Sequence, residues 1–136
     1  MKDYIKYYFS KWARVKNAKP EDTICLEICN ELRSLIIGNR FNGLFFHVEN
    51  EGSSKRSHQL NLLKKATGKI AGVSDYVFCR DGLTLFIEIK TPKGKQGESQ
   101  MNFEAWCKDY GLRYHLCFSW ADVKYLLTKE GFLNNE

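Results

Sequence analysis

The run Tyr76-Val77-Phe78-Cys79-Arg80-Asp81-Gly82-Leu83-Thr84-Leu85-Phe86-Ile87-Glu88-Ile89-Lys90 decides the fold. Two β-rich segments, 76–79 and 83–90, flank Asp81-Gly82, a dipeptide that accepts the left-handed backbone a two-residue hairpin turn demands. Centring the turn there pairs Arg80 with Leu83 and, by continuation, sets Asp75 opposite Glu88. Like charges directly opposed on adjacent strands are destabilising, so this register needs a compensating cation or a carboxyl that keeps its proton. Alternation along the second strand puts Lys90 on the Glu88 face, and an Asp, a Glu and a Lys then converge on one patch.

Working outward from the hairpin, residues 91–97 read as a loop, 99–110 as a helix closed by Gly111, and 113–118 as a strand. Ser119 with Asp122 caps a last helix running to Lys129. On the N-terminal side, Lys19-Pro20-Glu21-Asp22 opens a helix that stops near Gly38-Asn39 and buries Ile24, Ile28, Leu32, Leu35 and Ile36. Residues 44–49 form a strand, and 52–69 a long basic loop with room for a short helix. Residues 3–16 form a basic amphipathic helix with an apolar stripe of Ile5, Tyr8, Phe9, Trp12 and Val15. The order α-α-β-(loop)-β-β-α-β-α predicts an α/β fold, a mixed sheet with helices packed on it.

The chain has 136 residues, enough for one core, and 43% hydrophobic side chains exclude disorder and collagen-like structure. Net charge is +5, and the excess lies in residues 1–19, which hold six basic side chains and one acid. From Gly52 to Lys69 five cations (Lys55, Arg56, Lys64, Lys65, Lys69) occur with no acid, a pattern that fits a polyanion and equally a solvated loop. Five irregularly spaced cysteines and no leading signal segment predict reduced thiols in an intracellular, cytoplasmic protein, with small buried thiols preferred over zinc ligands. No apolar stretch approaches the ~20 residues that cross a bilayer. His47, His58 and His115 are too dispersed for a histidine-based site, and no phosphate-binding glycine loop occurs, so a helicase that remodels strands would be a separate protein.

The patch of Asp75, Glu88 and Lys90 has the chemistry of a divalent-metal hydrolase. Hard carboxylate oxygens suit Mg²⁺ or Mn²⁺, a bound cation offsets charge developing on a phosphoryl group, and the lysine orients or deprotonates the attacking water.

Gly72-Val73-Ser74-Asp75, then Ile87-Glu88-Ile89-Lys90-Thr91-Pro92-Lys93-Gly94, then Ser99-Gln100 with Phe103, resembles the VRR-NUC branch of the PD-(D/E)xK nucleases. The resemblance spans residues 20–127, with Pro20-Glu21 and Leu32 similar to the family's first helix and Asn50-Glu51-Gly52 similar to its turn before the basic loop. Ser74 stands where the superfamily name has proline, and the N-terminal helix lies outside the match. The resemblance implies a restriction-endonuclease-like αβββαβ core over 20–136, preceded by the basic helix of 1–19. It implies that Asp75, Glu88 and the Ile89 carbonyl hold Mg²⁺ or Mn²⁺ beside Lys90, and that Glu21 reaches the ion through water. Glu27 and Glu51 are alternatives to Glu21, whose acid also suits a helix start. Gln100 would orient phosphate or water, and Lys93 and Lys95 would touch the DNA backbone together with the basic loop.

Together these features lead to the expectation of a metal-dependent, structure-selective DNA endonuclease, acting as a homodimer on four-way junctions or other branched DNA in recombination or repair, of phage-like type. A flap, single-strand or RNA nuclease of the same fold is the first alternative. The second is a non-catalytic nucleic-acid-binding protein, which has no need of opposed Asp75 and Glu88.

Overall fold

The computed structural model describes residues 2–9, 15–49 and 58–134. Among these, nine elements follow in the order α1 (Asp3–Phe9), α2 (Pro20–Ile37), β1 (Leu44–His47), α3 (His58–Ala66), β2 (Tyr76–Arg80), β3 (Leu83–Ile89), α4 (Glu98–Asp109), β4 (Arg113–Cys117) and α5 (Trp120–Lys129). The fold is mixed α/β: one four-stranded sheet in the order β1-β2-β3-β4, antiparallel except for the parallel β3–β4 pair.

The hairpin has the register its turn dictates, Arg80 opposite Leu83 through Tyr76 opposite Ile87. Asp81 and Gly82 take φ values of 42° and 80°, the left-handed pair of a tight hairpin turn. Alternation then sorts the side chains. Tyr76, Phe78, Leu85, Ile87 and Ile89 face α2 and α5 and join Ile28, Leu32, Val123, Leu127 and Phe132 in one buried core. On the opposite side α4 covers the sheet through Phe103, whose ring meets Phe86 at 5.4 Å and Tyr114 at 6.1 Å between centroids. The C-terminal segment closes the core: Phe132 is fully buried, and Leu133 bridges to Phe41.

Several boundaries differ from the sequence reading. The first helix ends by Val15 and Lys16, which are not helical: Asn17 is left-handed at φ 59°, and Lys19 is extended ahead of Pro20, whose ring disfavours helix in the preceding residue. Its apolar stripe is also narrower. Ile5 and Phe9 are half-buried, with Phe9 stacked on Phe45 at 5.7 Å, whereas Tyr8 is exposed. Trp12 lies outside the described residues. Strand β1 stops at His47, although the Val48 N–H still donates to the Asp75 carbonyl at 2.7 Å and extends the pairing by one bond. The basic loop includes α3. Cys107 and Cys117 are buried as expected, but Cys25, Cys29 and Cys79 are only half-buried, and all five thiols are free. Among the described residues no helix is long and apolar enough to cross a membrane.

Candidate metal centre

The hairpin brings its two acids together at the end of the sheet, one residue beyond the last β2–β3 pair. Asp75 alternates with the inward Tyr76, and Glu88 with Ile87 and Ile89, so both belong to the α4 side. Asp75 is fixed from two directions: its carbonyl accepts from Val48, and its Oδ2 accepts from the Ile89 N–H at 2.7 Å. Glu21, in the first turn of α2, reaches the same point from the other layer. Carboxylate oxygens of Glu21, Asp75 and Glu88 all lie within 4.8 Å of one another. Lys90, only 8% exposed, places Nζ 4.0 Å from Glu21 Oε2.

Electrostatically the cluster is under-compensated. Glu88 has no exposed surface, and neither of its carboxylate oxygens meets a donor. Burial first, then contact with Asp75 and its charge, pushes the Glu88 carboxyl up to about 9, against a smaller opposing pull from Lys90. A proton on Glu88 turns its contact with Asp75 from a repulsion between acceptors into a hydrogen bond. Glu21 is also raised, by burial first, with Lys90 opposing and Asp75 reinforcing the shift.

The other expected residues distribute as follows. Gln100 is half-buried in the first turn of α4, where its Oε1 accepts from the Gly97 N–H at 2.9 Å. That bond fixes the carboxamide and leaves Nε2 as its uncommitted half. Lys93 and Lys95 are exposed on the loop leading from Lys90 to α4. Lys64 and Lys65 occupy the last turn of α3 and Lys69 follows it, while Lys55, Arg56 and Glu51 lie outside the described residues. Glu27 is exposed and stands apart from the acid cluster, which takes Glu21 instead. For Ile89 the observed link to the cluster is its N–H on Asp75.

Comparisons with protein-family models, with curated proteins and with solved structures find no match.

The donor set itself fits a hard divalent ion. On one octahedral Mg²⁺ with metal–oxygen bonds of about 2.1 Å, opposite oxygens lie about 4.2 Å apart and neighbouring ones about 3 Å, so three carboxylates within 4.8 Å of one another reach a shared ion by drawing in by up to about 2 Å or by bridging through water. The two donor-free oxygens of buried Glu88 are what such an ion would satisfy. Cys25, one turn after Glu21, does not add a soft ligand: burial, and next the Asp75 charge, push its thiol up to about 12, which keeps it protonated. An all-oxygen set suits a hard cation such as Mg²⁺ or Mn²⁺.

Sequence reasoning finds the acids but misses their supports. The bond from Ile89 N–H to Asp75 and the close approach of Gly72 to α4 are tertiary contacts, and the Oγ of Ser74, which donates to the Tyr76 carbonyl two residues on at 3.0 Å, is a local support whose full burial comes from the packing around it. The one signal for them in the sequence is a glycine and a serine placed just before the acid.

Proposed function

We propose that this chain is a Mg²⁺- or Mn²⁺-dependent endonuclease that hydrolyses phosphodiester bonds in branched DNA, four-way junctions above all, with the restriction-endonuclease-like architecture of the VRR-NUC proteins. The observation that carries the reading is three carboxylates within 4.8 Å of one another, one of them buried without a donor, beside a lysine that is itself almost fully buried. A surface cluster of acids would not bury Glu88 in this way, and a protein that only binds nucleic acid gains nothing from its cost.

In this reading Asp75 and Glu88 hold the ion, with the Ile89 carbonyl beside them and Glu21 joining through water. The bound cation supplies neutralisation of the charge that develops on the phosphoryl oxygens. Lys90 orients the attacking water at Nζ or, in its neutral form, takes the water's proton there, and the Gln100 Nε2 donates to a phosphate oxygen. Lys93, Lys95 and the basic segment with Lys55, Arg56, Lys64, Lys65 and Lys69 contact the backbone, which positions the duplex without reading its sequence. Branched DNA has two strands to cut, and a two-fold homodimer presents two such sites to them. The setting is intracellular recombination or repair of phage type, with strand separation left to another protein.

A panel of labelled substrates tests the reading: four-way junction, flap, linear duplex, single strand and RNA, each with Mg²⁺ or Mn²⁺ and with chelator. Metal-dependent cutting of the junction, lost in Asp75→Ala and Lys90→Ala, is expected. Preferential cutting of flap, single strand or RNA moves the substrate to the alternative nuclease reading. Binding without cleavage under either metal rejects the enzyme.

A further inference from the structure

We infer that Gly72 is a positioning residue, which locks the loop carrying Asp75 against the first turn of α4 and thereby sets Gln100 relative to the metal-binding acids. The inference rests on the proposed function for its catalytic consequence. Gly72 has φ +83°, and a Cβ built on it would lie 2.3 Å from both the carbonyl carbon and oxygen of Ser99 and 2.6 Å from the Gln100 nitrogen. These are backbone atoms of a helix, which cannot swing aside as the tip of a flexible side chain does. The close approach thus depends on the missing side chain.

Each side of this contact also has its own hold elsewhere in the molecule. Asp75 is tied to the sheet by Val48 and Ile89, and Ser74 by the Tyr76 carbonyl. The α4 turn is held by the bonds Gly97 N–H to Gln100 Oε1 and Met101 N–H to the Gly97 carbonyl. A side chain at position 72 would therefore leave the acids on the sheet and displace Gln100.

Gly68 supplies the control. It lies earlier in the same connection with φ +94°, but a Cβ there meets nothing within 4 Å, so Gly68→Ala imposes the left-handed strain without the clash. We expect Gly72→Ala to lower kcat on junction DNA by about 10²-fold, the effect of an ångström-scale misplacement, while its Mg²⁺ affinity by calorimetry stays equal to that of Gly68→Ala. Equal kcat in the two variants overturns the inference. So does a parallel loss of Mg²⁺ affinity in Gly72→Ala, because Gly72 would then support the acids and not their relation to Gln100.

If Gly72→Ala fails to fold where Gly68→Ala folds, the wild-type chain decides by amide NMR. Ser99 and Gln100 resonances shifting with the same Mg²⁺ midpoint as Asp75 and Ile89 support the coupling, and stationary Ser99 and Gln100 resonances overturn it. These outcomes leave the endonuclease reading standing. A wild type in which Mg²⁺ moves no resonance overturns that reading, and the inference with it.

Discussion

Replacing Glu88 with glutamine should make the metal-free protein more stable at neutral and alkaline pH, and the size of the effect follows from the surroundings of the side chain. Glu88 is fully buried against Asp75 with no donor, which pushes its carboxyl up to about 9 from an ordinary 4.5. Between those two values the folded chain retains a proton that the unfolded chain has released. Because the folded state binds more protons, stability falls as pH rises across this window; it is fully present below the ordinary value and lost on the way up to the raised one. The slope is about 1.4 kcal/mol per pH unit, or on the order of 4 kcal/mol between pH 5 and pH 8. Glutamine cannot ionise, and its Nε2 can donate to Asp75 as protonated Glu88 does. In chelator, the melting temperature of Glu88→Gln should therefore pull ahead of wild type by about 4 °C for each pH unit above 5. Mg²⁺ should close the gap from the other side, raising the wild type with release of about one proton and leaving the glutamine variant unmoved. Parallel curves for the two proteins in chelator would refute the reasoning, since Glu88 would then ionise as readily folded as unfolded.

Asp75 invites a paired comparison. Asp75→Asn keeps an oxygen for the Ile89 N–H and removes the charge that opposes ionisation of Glu88, so in chelator above the ordinary carboxylate range it should melt no lower than wild type, whereas Asp75→Ala orphans that N–H and should lose about 1–3 kcal/mol in urea titrations. Both should abolish metal-dependent cleavage, and a lower melting temperature for Asp75→Asn than for wild type contradicts the repulsion. Lys90→Ala removes the cation 4.0 Å from Glu21 and should cut single-turnover cleavage by about 10²–10⁴-fold while calorimetry finds Mg²⁺ bound at least as tightly; undiminished cleavage removes the lysine from the chemistry. Replacing Lys55, Arg56, Lys64 and Lys65 together should flatten the dependence of DNA affinity on log salt by about 0.9 for each phosphate that is no longer neutralised, and an unchanged slope excludes this segment from the interface.

The fold is legible where local chemistry and long-range packing demand the same thing. Asp81-Gly82 needs left-handed backbone, and that fixes the hairpin register without any tertiary information. Ser119 caps α5 through the Asp122 N–H, and Pro20 opens α2, both signals contained within four residues. Periodicity over-extends the first helix because hydrophobic spacing runs on through Val15, while the left-handed Asn17 and the extension forced by Pro20 act from the C-terminal side and leave no trace in that spacing. Tyr8 is misplaced for a related reason: spacing marks an apolar stripe, but only contact with neighbouring elements decides how wide a stripe is covered, and α1 is covered by α2 and, at Phe9, by Phe45.

The site divides along the same line. Asp75, Glu88 and Lys90 are set by strand register, so counting residues from the turn is enough to bring them together. Glu21 belongs to another layer, and its place in the cluster depends on how α2 crosses the end of the sheet, which no spacing within α2 encodes; hence Glu27 and Glu51 stand as alternatives to it in the sequence, and the packed layers bring Glu21 to the cluster. Burial is the least legible property. Glu-x-Lys on a strand reads the same at an exposed edge and in an interior, but the two situations differ in consequence. An exposed Glu88 would ionise freely and bind a cation weakly. With its oxygens cut off from water and from donors, ionisation is opposed, so under the proposed function uptake of a cation would be coupled to release of a proton.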